Sequence, residues 1–223
     1  MDIFKQILSN GSELTPNMQM FILMTALMFL PIIIFMMTSF VRIIITFSFI
    51  KSALGAQQAI PNQILVGLAI CLTLFIMKPV VNEIATNSIE PYINHEITME
   101  QAYDELKNPI SDFLIKQTRD TDIELFIKNS SIDTTNIKNP EDLPLSILVP
   151  AFAISELKTS FEIGFIIYIP FLVIDLVVSS ALMSMGMMML PPAMVSLPFK
   201  LLLFVMVDGW DLLIKSLIQS FTQ

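Results

Sequence analysis

The stretch Met183-Ser-Met-Gly186-Met187-Met188-Met189-Leu-Pro191-Pro192-Ala-Met194-Val-Ser-Leu-Pro-Phe-Lys200 decides how the rest of the chain is read. Six of its first twelve residues are methionine. The methionine side chain is unbranched and polarizable, so it fills irregular gaps and moulds itself to surfaces that vary. Gly186 ahead of the Met187–Met189 run and the Pro191-Pro192 pair behind it keep a regular helix from absorbing the segment. The expectation is a soft apolar loop over residues 183–194 between two apolar helices, with Gly186, Pro191 and Pro192 as its hinges. Two uses remain open at this point. The methionines either pad a buried helix, or form a deformable seal or contact surface with Met185, Met187, Met188 and Met189 at its tip.

Composition sets the class. The chain has 223 residues, of which 54% are hydrophobic and only 14% charged, against about 25% charged in an ordinary soluble domain. This implies an all-α, membrane-associated protein of several helices. The single Cys71 lies in an apolar run and has no intrachain partner, and the one histidine, His95, lies among polar residues. Thiol chemistry, a metal site and histidine-based catalysis therefore lack material. The net charge of −8 is concentrated between Asn82 and Leu145, where thirteen acids face five bases. An acidic region of this kind has no affinity for a phosphate backbone, so nucleic acid is excluded as a partner.

Four segments follow. Residues 1–17 are polar, with no basic n-region and no small-residue cleavage site of a signal peptide. Residues 18–81 form a first apolar helical region. Its run from Met18 to Ile50 exceeds the roughly 20 residues one span needs, and Pro31 and Thr38-Ser39 mark places where it can kink. A turn over Lys51–Asn62 leads to a helix from Gln63 to Val81, expected to break at Lys78-Pro79 and to pack closely through Gly67, Ala69 and Cys71.

Residues 82–145 form an acidic, helical insert, expected on the outer face of the membrane. Thr98-Met-Glu-Gln101 and Thr121-Asp-Ile-Glu124 both read as capping boxes. Met99, Tyr103 and Leu106 should share one helix face, and Asn108-Pro109 should restart the helix. Residues 146–223 form a second apolar region: a stretch from Leu145 punctuated by Pro150 and by charge at 156–162, a helix from Ile163 to Met185, the methionine loop, and a last helix from Pro198 to about Phe221.

Charges inside the apolar helices are the second signal. A charge at the centre of a lipid-facing helix costs about 2.5–3.5 kcal/mol, so Arg42, Glu156, Lys158, Asp175, Lys200 and Asp208 should face partners or a wet cavity. Glu156 and Lys158 are two residues apart and cannot pair with each other on a helix. Neighbouring copies in a ring are expected to join one subunit's Glu156 to the next subunit's Lys158. Arg42 is expected to pair with Asp175 across the two halves, and Asp211 with Lys215 at i, i+4. Helices of this kind are built to pack against protein.

The lines Met36-Met-Thr-Ser-Phe-Val-Arg42-Ile-Ile-Ile45, Pro61-Asn-Gln-Ile-Leu-Val-Gly-Leu-Ala69, Leu148-Val-Pro-Ala-Phe-Ala-Ile-Ser-Glu-Leu-Lys-Thr-Ser-Phe161 and most of Ile169 to Trp210 resemble the FliP family of flagellar type III export-gate subunits. Val-Asp208-Gly-Trp210 and Glu156-Leu-Lys158 look like the flagellar version rather than its injectisome counterpart. The resemblance implies five copies wrapped into a helical oligomer with FliQ and FliR subunits, in contact with FlhB and FlhA. The complex would sit in the bacterial inner membrane at the flagellar basal body and pass unfolded export substrates. The methionine loop would be its gasket, and no cofactor is implied.

The rival from another class is a small-solute or ion transporter, for which broken helices and a midplane Asp175 are suitable parts. Its inverted repeat is not legible here. No nucleotide loop, zinc-protease or nucleophile-elbow motif occurs, so no enzyme is indicated.

Overall fold

A computed structural model describes residues 16–57, 59–130, 143–187 and 189–221, and these are helical with no strand among them. The chain divides into two units, Met1–Met36 and Met37–Gln223. The first contributes α1, Pro16–Met36, which runs through Pro31. Phe21, Met24, Met28 and Phe29 are all exposed on it. A helix apolar all round belongs in lipid or in a protein interior.

The second unit is built around one helix. Helix α2 (Phe40–Ala53) begins after the Met37–Ser39 break, α3 spans Asn62–Ile84, a π-helical turn covers Ala85–Ile89, and α4 is Glu90–Ile93. In the acidic insert, α5 is Met99–Gln117 and α6 is Asp120–Asn129. Helix α7 then runs unbroken for 40 residues from Leu145 to Ser184, about 60 Å at 1.5 Å per residue. Helices α8 (Pro192–Met206) and α9 (Gly209–Gln219) complete the chain.

Helix α2 lies parallel to α7, because contacts advance together along both. Arg42 meets Glu156, and Phe49 stacks edge-on against Phe161 at 5.0 Å. The helices approach so closely that a Cβ on Gly164 would lie 2.4 Å from the Phe49 ring. Two cores form on the two ends of α7. Ile147, Leu148, Ala151 and Phe152 pack with Leu114 and Ile123 of the insert. Further along, Phe171 packs with Ile43, Phe47 and Ile50 of α2, Leu65 and Ala69 of α3, Phe204, and Leu213 and Leu217 of α9.

Several expectations from the sequence are corrected here. Proline was expected to interrupt helices at 79, 109 and 150 and to start one at 198, yet Pro79, Pro109, Pro150, Pro170 and Pro198 all lie inside continuous helices. In long apolar helices the freed carbonyl is tolerated where neighbouring groups re-satisfy it. The charged line at 156–162 does not interrupt α7 either. The real break in the last helix is at Val207-Asp208, where Asp208 adopts a left-handed φ of 51°.

Gly67 and Cys71 face outward while Ala69 is buried, so the close contact of α3 is made by Leu65, Ala69, Thr73 and Met77. Met99 and Tyr103, on the first turns of α5, are exposed. Thr98 makes its capping box with Gln101, but α6 starts at Asp120, one residue before the expected Thr121 cap. There Arg119 is the N-cap residue, makes no side-chain cap, and donates its N–H to Ser155 Oγ of α7 at 3.0 Å.

Among the described residues, two continuous helical stretches are long and apolar enough to cross a membrane, Asn62–Ile93 and Leu145–Ser184.

Candidate functional site

The methionine loop is framed by backbone chemistry. Helix α7 ends in a Schellman motif: the Met187 N–H donates to the Leu182 carbonyl and the Gly186 N–H to the Met183 carbonyl, both at 3.0 Å. The motif needs a left-handed residue at its penultimate position, and Gly186 supplies it with φ 74°. At the other end Pro191 precedes α8 in an extended conformation and Pro192 occupies the first helical turn, where its missing N–H costs nothing. Gly186 thus stands at the turn that ends α7, and Pro191 and Pro192 at the entry to α8.

The turn between α2 and α3 has the same construction. The Ala56 N–H donates to the Lys51 carbonyl, and the Gly55 N–H to the Ser52 carbonyl. Gly55 has φ 69°, and Pro61 leads into α3. Two hairpins thus turn through glycine and leave through proline, one with a polar tip and one with methionines.

The methionine tip is bare. Met189 is 99% exposed, Met185 72% and Met187 41%, while Met188 lies outside the described residues. Met183 and Met194 on the flanking helices are also exposed. Thioethers presented this way do not pad a helix of this chain. A contiguous exposed apolar patch marks a place where something else makes contact.

The helix charges are brought together in three groups. Arg42 is buried at 3% exposure and all five of its N–H donors have acceptors. Nε donates to Glu156 Oε2 at 2.8 Å and Nη2 to Glu156 Oε1. Nη1 donates to the Ser220 carbonyl and hydroxyl at 3.0 Å each, and Nη2 to Gln117 Oε1 at 3.1 Å. Phe221 stacks on the guanidinium with its ring centroid at 3.8 Å. This side chain holds α2, α5, α7 and the end of α9 in one bidentate, fully satisfied knot.

The expected Arg42–Asp175 pair does not form. Helices α2 and α7 are parallel in a register that sets Arg42 level with Glu156, and Asp175 lies nineteen residues further along, roughly 28 Å away.

The second group ties the insert to α7. Lys158 Nζ pairs with Asp122 Oδ1, and Ser155 Oγ donates to Asp122 Oδ2 at 2.7 Å. Arg119 Nη2 donates to Glu162 Oε2 at 2.7 Å and Thr159 Oγ1 at 3.3 Å. Burial pushes the Asp122 carboxyl up. The Lys158 and Ser155 hydrogen bonds and the charges of Lys158 and Arg119 pull harder and leave it below the usual carboxylate range. Glu156 and Lys158 thus find separate partners within one chain, and the expected bridge between neighbouring copies is not needed to satisfy either.

In the third group Lys200 Nζ, 5% exposed as a residue, donates to Asp175 Oδ2 at 2.7 Å and to the Ala53 carbonyl at 3.0 Å. Ser196 Oγ donates to Asp175 Oδ1 at 2.6 Å. Asp208 is exposed at the α8–α9 break, and Asp211 and Lys215 are both exposed and form no ion pair among the described residues.

Sequence reasoning missed Gln117, Arg119, Asp122 and Ser220 as partners. The available signal was Asp122 itself, an acid in the first turn of a helix opposite a lysine-bearing one. Among the described residues no three His, Cys, Asp or Glu side chains gather as a metal site would require.

The profile described as the FliP family matches residues 23–217. The chain is 50% identical over 220 residues to the flagellar biosynthetic protein FliP of Pectobacterium carotovorum, covering 98% of this chain and 84% of the relative. It is 49% identical over 213 residues to that of Bacillus subtilis, covering 96% of each. It is 43% identical over 209 residues to that of Aquifex aeolicus, covering 94% of this chain and 87% of the relative.

Proposed function

This chain belongs to the FliP family, and from that premise we propose that it is a pore-forming subunit of the flagellar type III export gate. Several copies would assemble in the bacterial inner membrane with FliQ and FliR subunits, and the gate would admit unfolded flagellar proteins handed on through FlhB and FlhA. The observation that carries this reading is the methionine tip, held out on a glycine–proline frame with Met189 bare of any contact from its own chain.

An export channel must hold back ions and water when idle, yet pass side chains of every size and charge. A ring of thioethers closes by dispersion contacts and changes rotamers around each passing residue. A narrow apolar constriction also excludes ions by dewetting. No group in the loop titrates, so the seal would be indifferent to pH, and no bond is made or broken in it.

The outward faces of α3 and α7 agree with assembly. Ile64, Leu74 and Phe75 on α3, and Phe165, Ile166 and Val177 on α7, are each exposed by about half or more. The test is the native mass of the detergent-solubilised chain expressed with the neighbouring export proteins. A complex of several copies with smaller membrane partners is expected. A monomer or dimer that recruits nothing would overturn the proposal.

A further inference from the structure

We propose that Lys51 of one copy pairs with Asp208 of the next, and that this pair sets the height at which copies of the chain join head to tail. The inference rests on the multi-copy assembly proposed above and adds which residues fix its register.

Asp208 is a charge without a task in its own chain. It holds a left-handed φ of 51°, a conformation that glycine would adopt without strain. It stands at the N-cap of α9, yet its side chain makes no capping bond there. Among the described residues no lysine or arginine forms an ion pair with it. Val205, Met206, Val207 and Leu212 around it are all exposed by more than half. A carboxylate ringed by exposed apolar side chains on apolar helices calls for a partner.

Lys51 is the complementary case. It lies in the last turn of α2, where the helix dipole favours a cation, and its Nζ donates to Asn62 Oδ1 at 2.6 Å. No acid pairs with it among the described residues. Asn62 opens α3, so the ammonium is held on the α3 side of α2.

The two charges share one height. Trp210, two residues beyond Asp208, meets the Phe47 ring edge-on at 6.2 Å. Val207 and Gly209, which flank Asp208, line one apolar cavity of about 600 Å³ together with Ile50, the residue before Lys51. Within the chain the charges do not meet, because Lys51 is turned to α3 and Asp208 stands at the exposed α8–α9 corner. A cation on one side and an acid on another, at equal height, suit a heterologous interface, in which every copy offers both halves.

The other unpaired cations of the apolar helices fit less well. Lys78 lies nine residues beyond Ala69 of the same core, about 14 Å nearer the insert. Lys215 stands on α9 itself, on the side that carries the acid. A desolvated pair of this kind contributes more to register than to affinity, since the loss of hydration offsets much of the attraction.

The test uses the full chain expressed with its neighbouring export proteins, on a Cys71→Ser background. With Lys51→Cys and Asp208→Cys in one chain, a short bismaleimide should give a ladder of linked dimers, trimers and larger species. Chains carrying only one of the two cysteines should link when co-expressed with each other and not alone. Asp208→Lys and Lys51→Asp should each lower the fraction of chain in the multi-copy complex about fivefold or more, because like charges then face each other. The double reversal should return it to within about twofold of the parent, and Asp208→Asn should weaken assembly less than Asp208→Lys.

A multi-copy complex in which the two cysteines link only within a chain, or not at all, would overturn the proposal. So would a double reversal that assembles no better than either single change. A parent chain that never forms a multi-copy complex would instead overturn the assembly reading, which keeps the two failures apart.

Discussion

Arg42 and Glu156, separated by 114 residues in sequence, meet through two hydrogen bonds in the buried interior of the second unit. Breaking such a pair from one side leaves a buried charge without compensation, which costs about 3–5 kcal/mol. Arg42→Met and Glu156→Leu are each expected to lower the thermal midpoint of the purified chain sharply. The double substitution should lose much less than the two single losses combined, because two apolar groups replace the pair together. A double-mutant cycle on the thermal midpoint checks this; additive losses would contradict it.

The Asp122 clasp is sensitive to acid. Its folded pKa is lowered by Lys158, Ser155 and Arg119, so its contribution is complete above the unfolded carboxylate range near pH 4. It is lost as pH falls through the lower, folded value. The Lys158 side chain is 48% exposed, so the contribution is screened and on the order of 1 kcal/mol. Thermal midpoints of the parent and of Asp122→Asn should differ at pH 7 and converge at the acid end. A difference that persists at pH 2 would contradict the assignment.

The contact of α2 with α7 depends on the absence of a side chain at Gly164. A Cβ there would meet the Phe49 ring at 2.4 Å, and overpacking of this kind costs typically 1–3 kcal/mol. Gly164→Ala should therefore destabilise the chain, and Phe49→Leu should recover part of the loss. Gly67 meets nothing within 4 Å, so Gly67→Ala should stabilise α3 by about 0.5–1 kcal/mol in the isolated chain. Equal effects at the two glycines would contradict the packing described.

What could be read in the sequence was local. The methionine loop, its glycine and proline boundaries and the Thr98 cap depend on residues within one or two turns of each other. The isolated charges announced that partners exist, but not which. Arg42 finds Glu156 rather than Asp175 because the parallel register of α2 on α7 is a tertiary fact with no local signature. The prolines misled for a related reason: a rule drawn from short helices was applied to helices whose packing carries them past the missing hydrogen bond. Thr121 does not cap α6 because the helix begins earlier, at Asp120, where the Arg119 N–H is held by the Ser155 hydroxyl of another helix.

The most direct test of the account replaces Met187, Met188 and Met189 together with alanine and measures ion leakage through the assembled gate in whole cells. The sealing account predicts a complex of unchanged mass and a membrane that leaks ions, because the tip loses the thioethers that close it. Cells as tight as the parent, with export at the parent level, would contradict it.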